Sequence, residues 1–304
     1  MARRLDIGIA SYRSPEKLKR AVELVKKHSV TDWRLHIVHN PHQEDTEYKP
    51  PVGESPLFNE MMKDERVKVF LPSDNRGYAG AVNEILRQAE TEYIAYLDND
   101  AYIQTPGWDE TLCRYLDRFH EIGMVFPNGG AYPIPRGAYT EIMWAPGFCW
   151  VLSQAAMRDT ISRGDYDGRI ALQYFDESLG HQEECDYSLR LRMAGYKCAA
   201  APEVHVKHDA TATSDPKSIE RINRGVQNFV NKWTRYFGGK NLNYHSPNVL
   251  RWEDWHPNAL YLEEYWKSYG LNPNEKPESI HLDGRWYDLI RVPRLKGFYT
   301  GRII

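Results

Sequence analysis

Two carboxylates one residue apart, Asp98 and Asp100, follow the apolar run Tyr93-Ile94-Ala95-Tyr96-Leu97, with Asn99 between them. Hard divalent cations prefer carboxylate oxygens, and Mg²⁺ or Mn²⁺ usually takes one or two of them together with phosphate oxygens. Asp and Asn are also common turn residues after strands, so the tripeptide alone leaves a plain turn open. Upstream, Asn75-Arg76-Gly77-Tyr78-Ala79-Gly80-Ala81-Val82-Asn83 puts two glycines at the start of a helical pattern. A backbone can approach a ligand closely at such glycines, and a helix N-terminus favours an anion such as a diphosphate. Downstream, Glu183, Glu184 and Asp186 crowd a third helix start. Acids there suit the helix dipole, and one of them can serve as a general base toward a hydroxyl. Finally Val204-His205-Val206-Lys207-His208 offers a histidine at a strand end, where a neutral imidazole can join carboxylates on a metal.

These groups need a scaffold that brings them to one edge. Leu5 to Ala10, Trp33 to Val38, Val67 to Leu71 and Tyr93 to Leu97 read as buried strands. Helices are expected between them. One is opened by Pro15 with Ser14 as its N-cap and a stripe of Leu18, Ala21, Val22 and Val25; another runs from Tyr78 to Ala89. The polar, Pro-rich stretch from Pro41 to Glu65 reads as a long loop with a short helix at Phe58 to Met62. Near-continuous apolar strands in this alternation predict a mostly parallel sheet covered on both faces. Ligands bind such sheets beyond the carboxyl ends of the strands. Further strands are expected at Ile122 to Phe126, Phe148 to Leu152 and Val204 to Lys207, and helices at Glu183 to Ala194 and about Pro216 to Phe237. An aromatic-rich tail with Trp252, Trp255, Tyr261, Tyr265, Trp266, Trp286 and Tyr287 follows. The division expected is an α/β sheet domain over 1–214 and a helical, aromatic-rich extension over 215–304.

The chain has 304 residues and a formal net charge of −3, with no dense Lys/Arg cluster. That composition argues against tight non-specific nucleic-acid binding. Its four cysteines, Cys113, Cys149, Cys185 and Cys198, lack any C-x-x-C or metal-ligand spacing and read as reduced, packed thiols. No run approaches the ~20 apolar residues of a membrane span, and the N-terminal apolar run is too short for a signal segment. The expected setting is the cytoplasm, free or peripheral to a membrane.

Taken in order, these pieces resemble the family 2 glycosyltransferases of GT-A fold, over about residues 5 to 237. The resemblance runs through Ala10-Ser11-Tyr12-Arg13, the loop from Asn75 to Asn83, and the D-x-D of Asp98-Asn99-Asp100. It continues with Gly147-Phe148-Cys149, Glu183-Glu184-Cys185-Asp186 with Leu189 and Arg190, Ala194 to Lys197, His208 and Lys232-Trp233. It implies a Rossmann-like α/β domain and a nucleotide-sugar donor of the UDP or dTDP type. It implies Mn²⁺ or Mg²⁺ on Asp98, Asp100 and His208. Donor contacts would come from Ala10, Ser11, Tyr12, Arg13, His39, Asn40, Asn75, Arg76, Gly77, Asn83, Asp98 and Asn99. The base would be Glu184, with Glu183 and Asp186 as the alternatives. Trp144, Gly147, Phe148, His181 and Gln182 are the acceptor-side candidates. The form of the D-x-D and of the Asn75 loop resembles the branch that uses rhamnosyl or galactofuranosyl donors.

Two positions depart from that pattern. His39 stands where the family usually has an Asp that accepts a hydrogen bond from a uracil or thymine ring, which leaves the nucleobase open. Glu184 stands where Asp is usual. The expected reaction is inverting transfer to a hydroxyl acceptor, a saccharide or glycoconjugate. A nucleobase in DNA is the weaker acceptor, and a non-catalytic nucleotide-sugar-binding protein is the competing class. A nucleotidyltransferase would need a Gly-rich, basic segment near the first strand, and Ala10-Ser11-Tyr12-Arg13-Ser14-Pro15 lacks it.

Overall fold

The computed structural model describes residues 4–40, 55–128, 134–142, 145–162, 174–209, 216–236, 279–282, 285–291 and 299–303. They fall into two compact units. The first comprises residues 1–131, 141–177 and 183–211; the second comprises 132–140, 178–182 and 212–304.

The first unit is a sheet with helices. Strand β1 (Arg4–Ser11) leads to helix α1 (Pro15–His28), then β2 (Asp32–His39), α2 (Pro56–Met61), β3 (Val67–Phe70), α3 (Gly77–Gln88) and β4 (Tyr93–Asp98). β5 (Ala101–Ile103), α4 (Trp108–Arg118) and β6 (Ile122–Pro127) come next. After β7 (Ile134–Pro135), which falls in the second unit, come β8 (Thr140–Ile142), β9 (Cys149–Ser153), α5 (Gln154–Ser162), α6 (Glu183–Met193), β10 (Lys197–Ala201) and β11 (Val206–His208). The main sheet runs β3-β2-β1-β4-β9-β6-β10-β8. β1 is parallel to β2 and β4, β2 to β3, and β6 to β10, whereas β9 is antiparallel to both neighbours. This is the mostly parallel α/β sheet that the apolar strands predict.

The register sets the site. Along β1, Ala10 pairs with Asp98 and Ser11 with His39, so the carboxyl ends of β1, β2 and β4 finish in one row. α3 lies close on β1, because Gly8 has no Cβ; one built there would meet Ile85 Cγ2 at 2.2 Å. Ile7, Ile9, Leu35, Ile37, Ile94 and Leu97 are fully buried on this part of the sheet.

At the amino ends of the strands Asp6 is buried and saturated. Arg34 donates to both of its oxygens at 2.8 and 2.9 Å, and His36 Nε2 lies 3.0 Å from Oδ1. The backbone N–H groups of Glu90 and Thr91 add two more bonds, at 2.7 and 3.0 Å. Burial works to raise this carboxyl, but the bonds from His36, Arg34 and Glu90 outweigh it and hold it far below the usual range. Removing one side of such a network leaves buried partners uncompensated, at about 3–5 kcal/mol. Asp6→Ala is therefore expected to lower the melting temperature by roughly 6–20 °C. A melting curve within a degree of the parent would contradict this account.

Several elements differ from the sequence reading. Ser14 does stand before α1, but its side chain makes no capping bond. Its φ is +49°, in the left-handed region, and its carbonyl accepts from Lys17 and Leu18 instead. The strand expected from Val204 begins at Val206 and joins β5 in a separate two-stranded ribbon. The second unit contains α7 (Pro216–Tyr236), as the periodicity predicts. It also holds an antiparallel sheet, β12 (Ser279–Leu282), β13 (Arg285–Arg291) and β14 (Tyr299–Ile303). The extension is thus not wholly helical: Trp286, Tyr287, Leu289 and Ile290 are residues that favour pleated strands. Trp252, Trp255, Tyr261, Tyr265 and Trp266 lie outside the described residues. Among the described residues no helix is long and apolar enough to cross a membrane. The four cysteines are buried.

Candidate active site

β4 ends at Asp98, the chain turns through Asn99 and Asp100, and β5 leaves the main sheet. β11 runs antiparallel to β5 with His208 opposite Ala101, and Asp209 N–H donates to the Asp100 carbonyl at 3.0 Å. That pairing carries a histidine about 110 residues downstream onto the Asp98–Asp100 turn. His208 Nε2 lies 3.2 Å from Asp100 Oδ1 and 3.6 Å from Asp98 Oδ2. One ligand atom from each of the three residues fits within a 4.8 Å span. The Phe148 ring stacks on the His208 ring at 4.5 Å and 15°, which fixes the imidazole plane.

The electrostatics suit a cation. Burial pushes Asp98 up to about 6, against the opposing pull of the Tyr96 hydrogen bond and of His208. Burial also acts to raise Asp100, but His208 and Lys17 overcome it and hold Asp100 below its ordinary value. His208 is raised: its burial is outweighed by the hydrogen bond to Asp100 and the two carboxylate charges. Lys17 Nζ stands 3.5 Å from Asp100 Oδ2 and from Asp209 Oδ2. Two acids and an imidazole converging with oxygen and nitrogen atoms are a donor set that fits Mn²⁺ or Mg²⁺.

Of the three acids at the head of α6, the structure separates the roles. Asp186 is fully buried and bound to Arg190 Nε at 2.9 Å, one helical turn on, the pairing expected from their spacing. Glu183 is buried as well. Glu184 is half-buried, and a Cβ on Gly147 would stand 3.5 Å from its carboxyl carbon and 3.4 Å from the Tyr78 hydroxyl. Tyr78 donates to the Gly147 carbonyl at 3.1 Å. A carboxylate at a helix start is expected to stay ionised at all working pH. Burial instead pushes Glu184 up to about 7, its own backbone N–H opposing and the Asp98 charge adding to the rise.

The donor-side residues divide into two groups. Ser11, His39, Asn40, Tyr12, Arg13 and Asn99 gather at the strand ends with Ala10. Ser11 Oγ and His39 Nδ1 are 3.1 Å apart, and His39 meets Phe58 edge-on at 5.1 Å. Burial lowers the His39 pKa, which favours the neutral ring. Asn40 donates to the Gly77 carbonyl at 3.0 Å. Asn99 reaches back to the carbonyls of Tyr12 and Arg13 at 3.5 and 3.4 Å, tying that loop to the carboxylate turn. Arg13 and Ser14 both have positive φ, 54° and 49°. Consecutive left-handed non-glycine residues are uncommon, and such strain clusters at ligand clamps.

The second group shapes the turn before α3 and anchors that helix. Asn75 accepts from the Gly77 N–H at 2.9 Å and shapes the turn, where Gly77 has φ +69°. Arg76 is ion-paired with Glu177. Asn83 is fully buried; it donates to the Phe175 carbonyl and to Glu177, and accepts from the Tyr174 and Phe175 N–H groups. Arg76 and Asn83 therefore fasten the 174–177 segment. Gly147 and Phe148 join the cluster around Glu184 and His208. His181 and Gln182 belong to the second unit, where Gln182 is buried with φ 69°. Trp144 lies outside the described residues. The sequence reading missed Lys17, Tyr78 and Tyr96 as site residues. Tyr78 belongs to the quoted loop, and Tyr96 precedes Asp98 by two strand positions.

A comparison with curated protein sequences returns no match. The family model for glycosyl transferase family 2 matches residues 6–148, which include β1, β2 and the Asp98–Asp100 turn. Among solved structures, the chain is similar to the mannosyltransferase PcManGT from Pyrobaculum calidifontis in complex with GDP-Man and Mn²⁺. There the TM-score is 0.56 at 15% identity, over 79% of this chain and 66% of that one. It is similar to GalNAc-T7 with UDP, GalNAc and Mn²⁺, with a TM-score of 0.56 at 13% identity over 89% and 55% of the two chains. It is also similar to S. aureus TarS, with a TM-score of 0.52 at 12% identity over 98% and 60%. The chain thus spans between 55% and 66% of the length of these three proteins. Identities this low establish the shared fold, and the family match, which spans a little under half of the chain, supports a glycosyltransferase class for residues 6–148.

Proposed function

We propose that this protein transfers a sugar from a nucleotide-diphosphate sugar to a hydroxyl acceptor, with inversion at the anomeric carbon and with a divalent cation. The convergence of Asp98, Asp100 and His208 within a 4.8 Å span, with the half-buried acid Glu184 close by Gly147, carries the reading. A cation held by those three residues would supply positive charge to the leaving diphosphate. Ser11, His39 and the strained 12–14 loop would hold the nucleoside end. Glu184 would take the acceptor proton as its oxygen attacks.

Two of the similar structures carry Mn²⁺, one with GDP-Man and one with UDP, so the scaffold accepts different nucleobases. In this chain His39 is the residue placed to decide. A ring whose Nδ1 lies 3.1 Å from Ser11 Oγ offers no carboxylate to a base edge, whereas an aspartate would accept from uracil N3–H. His39→Asp is expected to shift the affinity ratio of UDP over GDP upward by roughly tenfold, the worth of one hydrogen bond. An unchanged ratio in paired calorimetric titrations would remove His39 from the nucleobase pocket.

The overall reading is tested by a thermal-shift screen of nucleotide-sugars with and without Mn²⁺, with rhamnosyl and galactofuranosyl donors included. A ligand that binds only the folded chain at 100 times its Kd adds about 2.7 kcal/mol of stability. The expected result is a donor that raises the melting temperature only when Mn²⁺ is present, followed by an anomerically inverted product by NMR. No shift with any donor would overturn the proposal.

A further inference from the structure

Asp98 is gripped from within its own strand. Tyr96 lies two residues earlier on β4, so its side chain emerges on the same face of the sheet. Its hydroxyl donates to Asp98 Oδ1 at 2.6 Å, the short distance of a bond to an ionised oxygen. The other oxygen, Oδ2, is the one that faces His208 Nε2 at 3.6 Å. The two oxygens of one carboxylate are thus divided between a phenol and the ligand cluster.

The phenol has little freedom to release its partner. Tyr96 is fully buried, its ring stacked on Trp150 at 5.1 Å and 20° and met edge-on by Tyr78 at 5.4 Å and 87°. Trp150 Nε1 in turn donates to the Tyr78 hydroxyl at 3.4 Å, and Tyr78 is bound to the Gly147 carbonyl. The aromatic stack is therefore fixed at both ends. A phenylalanine would fill the same stack and lack only the hydroxyl.

We propose that Tyr96 is a positioning residue of the metal centre. Its hydroxyl occupies Oδ1 and turns Asp98 so that Oδ2 alone is presented beside Asp100 and His208, as a single-oxygen ligand. The inference rests on reading that cluster as a divalent-cation site. Partners of this kind, which orient a ligand without touching the metal, typically contribute 10–100-fold to affinity.

The test is Mn²⁺ binding, followed by calorimetry and by the electron paramagnetic resonance of free Mn²⁺, on the full chain. The variants are Tyr96→Phe, Asp98→Ala and the pair together. Tyr96→Phe is expected to weaken Mn²⁺ binding by about 10–100-fold. In the Asp98→Ala background the same change is expected to do nothing more, since the hydroxyl acts through that carboxylate. Binding by Tyr96→Phe within twofold of the parent overturns the inference. An equal loss in both backgrounds also overturns it, because it would mark a general structural defect. A parent chain that takes up no Mn²⁺ overturns the metal reading itself, which is a different result. If Tyr96→Phe fails to fold, a crystal of the parent soaked in Mn²⁺ decides. Asp98 bound through Oδ2 alone, with Tyr96 still on Oδ1, supports the proposal; a bidentate Asp98 or binding through Oδ1 overturns it.

Discussion

Glu184→Gln is expected to leave donor and Mn²⁺ binding intact and to reduce sugar transfer by about 10²–10⁴-fold, the usual cost of losing a general base. The amide keeps the size of the side chain and removes its ability to take a proton. The same residue predicts the pH profile. A base works in its ionised form, so with Glu184 pushed up to about 7, kcat/KM should climb as pH rises through that value and then level off. Part of that rise comes from the Asp98 charge. With that charge offset by a bound cation, the limb in the loaded enzyme moves below 7. Two neighbours serve as controls. Asp186→Asn should act through stability, since it breaks the buried pair with Arg190. Glu183→Gln should keep the ascending limb. Transfer by Glu184→Gln at the parent rate would end the assignment, as would a product with the donor's own anomeric configuration.

How far these residues could be read without coordinates depended on whether their signal was local. The run Tyr93 to Asp98 is apolar and then acidic, so both the strand and the carboxylate turn at its end are legible. The parallel pairing follows from strand runs buried on both faces, as Ile37 and Val38 or Ile94 and Leu97 are. The short strand β5 was not legible, because three residues have no period to measure. Yet β5 is the strand that carries His208 to Asp100. The link between that histidine and the turn came from the family resemblance, and its geometry came only with the fold. Asn83 shows the opposite limit. It sits in a motif that looks ligand-facing, and helix α3 turns it into the core, where it holds four partners from residues 174–177. Periodicity places a residue on a helix face, but which polar residue the core accepts depends on a segment nearly a hundred positions away. The ionisation of Glu184 departs from the helix-dipole expectation for a related reason: helix position is written in the sequence, and the burial of this carboxyl is not.

Asp100→Ala is expected to remove metal dependence along with most of the activity. Asp100 is the best placed of the three proposed ligands. It is held below its ordinary pKa, so it is ionised at any working pH, and it lies nearest to His208, at 3.2 Å. Its loss leaves Asp98 and His208 as a two-residue set, while the Lys17 ammonium keeps its pairing with Asp209. Two protein ligands can still attract a cation, but they cannot fix where it stands relative to the diphosphate. Loss of one preorganised electrostatic contact to a leaving group costs about 10²–10³-fold in rate, and weakened Mn²⁺ binding adds to that at low metal. The comparison is made in chelator-treated buffer, with Mn²⁺ then added back. The parent chain should fall to background with chelator and recover fully on addition. Asp100→Ala should start near background, respond weakly to chelator, and recover only in part at high Mn²⁺. His208→Ala should follow the same pattern, with an additional loss of stability from the Phe148 stack. Full turnover by Asp100→Ala in chelator-treated buffer would mean that these acids fold the turn and hold no metal. Lys17, standing 3.5 Å from both Asp100 and Asp209, would then be a cation at this edge able to face a diphosphate.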